Sequence, residues 1–152
     1  MAIVVGVDGS PESLQALRWA LAEAQLRKTT VRAVHAWQYP RTMVISDPFL
    51  GGPEVDPLLI EPSELEGAVE GRLAELVRGV ASEPDAVEQR VVQGNPAESL
   101  VEASKDAELL VVGSRGRGGF SGLLLGSVSQ ACAHHAHCPV VIVRSPSKKD
   151  ER

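Results

Sequence analysis

Hydrophobic positions along the chain alternate between short continuous runs and segments with helical spacing. Five apolar or alternating segments have the length of strands: 2–7, 30–37, 86–92, 108–112 and 140–143. After the first of them, Leu14, Leu17, Leu21 and Ala24 recur at the spacing of one helix face. A second helical pattern runs from 63 to 80. The chain is therefore predicted to alternate strands and helices.

Capping residues mark where most of the helices are expected to begin. Three starts carry them: Ser10 followed by Pro11, Ser63 with Glu66 as a capping box, and Asn95 followed by Pro96 and Glu98. Serine and asparagine side chains accept hydrogen bonds from first-turn amides, and proline is favoured at the first helical position. A further helix is expected over 127–136.

This alternation favours a doubly wound α/β fold. Parallel strands need a crossover between them, and right-handed crossovers place helices on both faces of the sheet. The segment 86–92 alternates, as strands at a sheet edge do. We expect a five-stranded, Rossmann-like parallel sheet in a single domain over 1–145, followed by a flexible tail over 146–152.

One irregular insertion interrupts the pattern at 38–62. It holds five of the ten prolines together with Gly51-Gly52, and it shows no steady period. Long loops of this kind are usually functional, so a lid over a site at the end of the second strand is one interpretation. The other is a surface loop whose apolar residues rest on the body of the protein or on a neighbouring subunit: Met43, Val44, Ile45, Phe49 and Leu50.

The fourth apolar run leads into a glycine-rich loop. Gly113 and Gly116 are followed, after nine residues, by Gly126-Ser127. Glycines allow close backbone approach, and a helix that begins at Gly126-Ser127 directs its unpaired amides and positive dipole end into the same space. Such an arrangement suits a phosphate. The loop lacks a P-loop lysine, and it is not a dinucleotide fingerprint because position 121 is serine.

The spacing Gly113-x-x-Gly116, nine residues, Gly126-Ser127 resembles the ATP-binding motif of the universal stress protein family. The opening 4–10 and the closing 138–143 are similar to the same family. The resemblance implies strand order 3-2-1-4-5 and a homodimer joined through the last strand, 140–143. It also implies that the backbone at Ala36 and Val112 frames an adenine, with Gly6 nearby.

Roles follow for the residues of this expected site. Gly113 leaves room for a ribose, and Gly116 lets the loop turn over the phosphates. Other candidates for phosphate binding are Ser127, Val128, Ser129, Arg115 and Arg117. Asp8 is expected to accept hydrogen bonds from ribose hydroxyls or to hold a metal-bound water, with a turn-forming role as the alternative. The two arginines are equally compatible with solvated loop charges.

Composition narrows the class of partner. The net charge is −5, which argues against nucleic acid, and no apolar run reaches the roughly 20 residues of a membrane span. Two cysteines favour a reducing cytoplasm over a disulfide scaffold. Cys132, His134, His135, His137 and Cys138 lie close together. We expect no metal there, because Cys132 and His135 share a predicted core-facing side of the helix.

The sequence therefore predicts an ATP-binding universal stress protein that acts as a nucleotide-dependent stress or signalling regulator. The nucleotide is expected to be ATP, with AMP and ADP as alternatives and Mg²⁺ as a companion ion. A slow ATP-hydrolysing enzyme is the first alternative, since fast phosphoryl transfer needs more cationic groups than this motif carries. A nucleotide-free dimeric scaffold is the second.

Overall fold

Strands and helices alternate in the computed structural model, which describes residues 1–38, 49, 61–115 and 125–144. The strands are β1 (Ala2–Gly6), β2 (Val31–Trp37), β3 (Val87–Gln93), β4 (Ala107–Gly113) and β5 (Val140–Val143). The helices are α1 (Pro11–Arg27), α2 (Pro62–Val80), α3 (Pro96–Ala103) and α4 (Ser127–His135), and short 3₁₀ turns occupy Pro84–Ala86 and Ser104–Asp106. The predicted strands and helices are all present. Most of their observed ends lie within one residue of the predicted ends.

All five strands form one parallel sheet in the order β3-β2-β1-β4-β5, which confirms the predicted fold class. β1 lies between β2 and β4, with Gly6 opposite Val34 on one side and Val5 opposite Val111 on the other. The winding direction therefore reverses between β1 and β4. The carboxyl ends of these two strands border the crevice in which ligands of open α/β sheets bind.

Alternate residues of the strands supply two cores, one on each face of the sheet. On one face, Ile3, Val5, Ala33 and Val111 pack with Leu17 of α1 and Leu73 of α2. On the other face, Val4, Val34 and Leu110 pack with Leu100 of α3 and Cys132 of α4. Both faces are thus covered by helices, as parallel sheets require. Within the described residues, no helix is both long enough and apolar enough to cross a membrane.

The first helix packs more closely than its leucines suggested. Ser10 is the N-cap as predicted, and its hydroxyl accepts from the amide of Ser13 at 3.2 Å. The buried residues of α1 are Ser13, Ala16, Leu17, Ala20 and Ala24. Leu14 and Leu21 are only half-buried. Most of the buried residues of α1 are small, and small side chains allow a helix to pack close to a sheet.

The helix α2 begins one residue earlier than its sequence predicts. The predicted capping box at Ser63 and Glu66 is wrong: the helix begins at Pro62, its N-cap is Glu61, and no side chain of the described residues caps it. Proline lacks an N–H and has a fixed φ that suits the first helical position, so Pro62 sets the start ahead of Ser63. The predicted inner face is otherwise present, with Leu65, Val69 and Leu73 buried.

Polar contacts to backbone fix the start of α3 and the turn after α4. The Asn95 side chain accepts from the amides of Ala97 and Glu98 at 2.9 and 3.2 Å, as its capping role predicts. Ser104, which is 1% exposed, donates its hydroxyl to the Val101 carbonyl at 2.6 Å and accepts from the His137 amide at 2.9 Å.

One described residue of the insertion lies against the body of the protein. Phe49 is 3% exposed, and its ring stacks on that of His35 at 3.7 Å between centroids. Arg72 donates from Nε to the Phe49 carbonyl at 3.2 Å. The packing interpretation therefore holds for Phe49. Most of 38–62 and the tail over 146–152 lie outside the residues that the structure describes. The lid interpretation falls on these residues and stays a prediction.

Two glycines at strand ends admit neighbouring helices. A Cβ on Gly6 would lie 2.8 Å from the end of the Leu100 side chain in α3. A Cβ on Gly113 would lie 2.8 Å from Cβ of Glu12 and 2.9 Å from its backbone carbon in α1. The second contact involves backbone, which has little freedom to move. The space that a Cβ would need at Gly113 is therefore filled by the first turn of α1, and the ribose contact at this strand end stays a prediction.

We predict that Gly71→Ala stabilises the protein. Gly71 lies inside α2 on an exposed face, and a Cβ there meets no atom within 4 Å. Alanine is favoured over glycine in helix interiors by about 0.5–1 kcal/mol. Chemical denaturation should show a gain of this size, and an unchanged or lower midpoint would contradict the helix assignment.

Gly113→Ala should destabilise the protein, because the new Cβ meets the Glu12 backbone. Overpacking of this kind costs about 1–3 kcal/mol. The same denaturation series measures the loss, and Gly71→Ala serves as the matched control with open space around the new methyl group. Equal effects of the two substitutions would exclude the tight approach of α1 to β4.

Candidate functional site

The candidate site lies at the carboxyl ends of β1 and β4. Gly6 ends β1 and Gly113 ends β4, and the register places Gly6 and Val112 one step beyond the paired Val5 and Val111. Ala36 lies two residues beyond the partner of Gly6 in β2, so it extends past the end of β1. The sheet therefore brings Gly6, Ala36, Val112 and Gly113 to the same rim.

Asp8 shapes the turn that leads from β1 into α1. Its Oδ1 accepts from the Ser10 amide at 2.9 Å and from the Ser10 hydroxyl at 2.5 Å, while its own amide donates to the Ser13 hydroxyl at 3.3 Å. Gly9 between them has φ of 81°, a conformation that favours glycine. Asp8 therefore forms the turn that the alternative interpretation predicted. The same bonds hold the carboxylate at the rim beside the switch between β1 and β4.

The backbone amide and carbonyl of Ser114, just beyond β4, connect this strand to β5 and to the start of α4. Its amide donates to the carbonyl of Val143 at the end of β5, at 2.8 Å. Its carbonyl accepts from the Gly126 amide at 2.7 Å and from the Ser129 hydroxyl at 3.0 Å. Ser114 is 4% exposed, so these bonds are shielded from water. The two ends of the glycine-rich loop are therefore held together.

The start of α4 presents backbone donors at this junction. Gly126 is the N-cap and Ser127 the first helical residue, as predicted, and no side chain of the described residues caps the helix. First-turn amides have no partner within their own helix. The Gly126 amide is occupied by Ser114, whereas Ser127 is exposed and Val128 is half-buried. The positive end of the α4 dipole thus faces the loop with uncapped amides.

The Ser129 hydroxyl lies against backbone at the start of α4. Its side chain is 2% exposed, and the hydroxyl lies 3.0 Å from the Ser114 carbonyl and 2.9 Å from the Gly126 carbonyl. In this structure the hydroxyl is directed at backbone rather than at the rim. Arg115 is half-buried beside the junction, and Gly116 and Arg117 lie outside the described residues.

The cysteine and histidine cluster forms no metal centre within the described part of the chain. Burial raises the pKa of the Cys132 thiol to about 11, with a further contribution from Cys138, and burial also raises the pKa of Cys138. Both thiols are therefore protonated near neutral pH, which disfavours the thiolate form that binds zinc. His135 was expected in the core, but it is exposed in the last turn of α4.

Sequence reasoning missed the residues that act through buried contacts. Ser114 follows the strand without a distinctive pattern, and its role lies in its backbone. Glu12 approaches Gly113 through its Cβ and backbone, and the chemistry of its side chain gives no indication of this contact. His35 sits at the end of β2, and its Nδ1 lies 2.7 Å from the Val7 carbonyl. Its position late in a buried strand, near the expected rim, was the only available signal.

The comparisons with known proteins agree on one family. Residues 1–144 match the model of the universal stress protein family. A universal stress protein of Mycobacterium bovis is 41% identical over 144 residues, which are 93% of this chain and 45% of that protein. The chain therefore spans about half the length of this relative.

Solved structures share the fold. A universal stress protein crystallised in complex with cAMP has a TM-score of 0.66 at 25% identity, and the match covers 96% of this chain and 98% of the other. The universal stress protein of Archaeoglobus fulgidus in complex with dAMP has a TM-score of 0.65 at 22% identity, covering 94% and 97%. With the family model matching nearly all of the sequence, this chain belongs to the universal stress protein family.

Proposed function

We propose that this protein binds an adenine nucleotide, ATP in the first place, and acts as a nucleotide-dependent stress or signalling regulator. The uncapped start of α4, fixed to the end of β4 by the Gly126–Ser114 hydrogen bond of 2.7 Å, is the observation that carries this proposal. A polyanion is the ligand that such a helix terminus favours.

The phosphates are assigned to the first turn of α4. The amides of Ser127 and Val128 and the exposed Ser127 hydroxyl supply donors without the desolvation cost of a buried side chain. Arg115 and the glycines of the loop are the remaining candidates for phosphate contact. AMP and ADP would use the same donors with fewer phosphate groups, so titrations with all three nucleotides measure the preference.

The base and sugar are assigned to the rim formed by β1, β2 and β4. Backbone groups of Ala36 and Val112 lie at strand ends, where an adenine edge finds hydrogen-bond partners, and Gly6 brings no side chain into the same rim. Asp8 is the carboxylate for the ribose hydroxyls or for a water of hydrated Mg²⁺. The cAMP and dAMP complexes of related folds support adenine as the base.

Binding is favoured over rapid catalysis by the composition of the motif. The stretch 113–129 contains no lysine, and its two cationic side chains are Arg115 and Arg117. Fast phosphoryl transfer relies on several positioned cations and a group that orients the nucleophile. A cytoplasmic location belongs to the same proposal, and the free thiols of Cys132 and Cys138 support it.

We predict that Ser127→Glu weakens ATP binding about tenfold or more without lowering stability. A carboxylate in the first turn stabilises the free helix by about 0.3–1 kcal/mol. Beside a phosphate it is repelled, by about 4 kcal/mol at 4 Å and an effective dielectric of about 20, and exposure reduces this value. Calorimetric titration measures the affinity, and thermal denaturation measures the stability.

Ser127→Gln is the matched control for Ser127→Glu, since it adds similar bulk without charge. It should retain most of the ATP affinity. If Ser127→Glu and the unaltered protein bind ATP with equal affinity, the assignment of the phosphates to α4 is wrong. If titration of the unaltered protein with ATP gives no heat of binding, the proposed function itself is refuted.

A homodimer through β5 is the second part of the proposal. Among the described strands, β5 pairs only with β4. Pro139 and Val143 direct their carbonyls at β4, so the peptide groups of Val140 and Ile142 point away from it. An apolar edge that is unpaired within the described strands is a template for another chain.

The opposite edge of the sheet is protected in a different way. On β3, Glu88 binds Arg32 at 2.7 Å and Arg90 at 2.8 Å, and the Arg32 guanidinium holds the pKa of Glu88 below its usual range. Charged side chains discourage pairing along an edge strand. The residues of β5 are all apolar, which favours β5 as the paired edge.

Ile142→Pro should convert the dimer to a monomer. Proline removes the N–H that points away from β4, while the bonds between β5 and β4 remain. Ile142→Ala is the control, because it loses the same side-chain packing and keeps the N–H. Sedimentation at micromolar concentration should give dimers for the unaltered protein and Ile142→Ala. A monomeric unaltered protein would contradict the dimer.

A further inference from the structure

A single buried hydroxyl links the two ends of the glycine-rich loop. Ser129 lies in the first turn of α4, and its hydroxyl is 3.0 Å from the Ser114 carbonyl, fifteen positions earlier in the chain, and 2.9 Å from the Gly126 carbonyl. The side chain is 2% exposed. The Gly126 N-cap has no side chain with which to fix the helix start, so the Ser129 hydroxyl provides the side-chain bond across this junction.

The Ser114 carbonyl accepts from the N-cap of α4 and from its first turn. The Gly126 amide reaches it at 2.7 Å and the Ser129 hydroxyl at 3.0 Å, so its two acceptor positions are occupied. Because Ser114 is also bound to Val143 through its amide, it has little freedom to follow α4 if the helix moves. The position of the first turn of α4 relative to β4 is thus determined by these two donors.

We infer that Ser129 is a positioning residue for the phosphate chain: its hydroxyl holds the uncapped amides of Ser127 and Val128 at a fixed place beside the end of β4. This inference rests on the proposed function. Ser129 does not contact the ligand in this role. It sets the geometry of groups that do, and it replaces the direct phosphate contact expected from its place in the sequence.

This role predicts different effects on the two parts of the nucleotide, the phosphates and the nucleoside. The adenine and ribose are assigned to strand ends and to Asp8, none of which depends on the Ser129 hydroxyl. The phosphates are assigned to α4, which does depend on it. Loss of the hydroxyl therefore affects recognition of the phosphates and spares recognition of the nucleoside. A residue that only stabilised the fold would affect both alike.

The experiment compares Ser129→Ala with Ser104→Ala. Both serines are nearly fully buried, and each hydroxyl lies within hydrogen-bond distance of two backbone groups. Ser104 contacts His137 beyond the carboxyl end of α4, away from the loop. The two substitutions should lower the thermal midpoint by similar amounts, so any difference in ligand binding reports on the position of the hydroxyl.

ATP affinity is measured by calorimetry and adenosine affinity by ligand-observed NMR. Ser129→Ala should weaken ATP about tenfold, as expected for loss of a buried hydrogen bond of about 1.4 kcal/mol, with adenosine unchanged. Ser104→Ala should leave both affinities unchanged, and Ser129→Thr, which keeps the hydroxyl, should retain most of the ATP affinity. Unchanged ATP binding in Ser129→Ala, or an equal loss for ATP and adenosine, would overturn the inference.

A measurement without ligand separates this inference from the proposed function. The Gly126 amide should exchange with solvent faster in Ser129→Ala than in the unaltered protein, and its exchange should be unaffected in Ser104→Ala. Failure of the unaltered protein to bind ATP refutes the proposed function, whereas unchanged Gly126 exchange refutes the positioning role. If Ser129→Ala does not fold, Ser129→Cys, which has a weaker donor of similar size, is compared in the same way.

Discussion

The hydrogen bond from the Gly126 amide to the Ser114 carbonyl is the constraint on which the candidate site depends. At 2.7 Å and shielded from water, it joins the start of α4 to the end of β4 across the glycine-rich loop. Together with the Ser129 hydroxyl, which also reaches the Ser114 carbonyl, it sets the distance between the strand ends of the sheet and the amides of α4. A ligand with a base at one end and phosphates at the other needs that distance to be set in advance.

Glycine and other small residues make this geometry possible on the side of α1 as well. Gly113 admits the backbone of Glu12, and alanines and Ser13 carry the close face of α1. The turn into this helix is held by Asp8 and Ser10. The first turns of α1 and α4 therefore both meet the end of β4. The rim is built from backbone approach more than from large side chains.

The order of elements and the sheet were predictable because apolar runs and helix caps such as Ser10 and Asn95 are local signals. Boundaries were less predictable where two local signals competed, as at Pro62 and Ser63. The inward direction of Ser129 could not be predicted, because it depends on a carbonyl fifteen residues away. The packing of Glu12 on Gly113 is likewise long-range, and Gly116 and Arg117 stay predictions.

The most direct test of the central claim is an amide-resolved NMR titration of the unaltered protein with ATP. The account predicts that the amide signals of Ser127 and Val128 shift strongly and saturate together with those of Gly6 and Val112, while signals from the middle of α2 stay in place. Saturation with ATP that leaves the signals of Ser127 and Val128 unmoved would contradict the account.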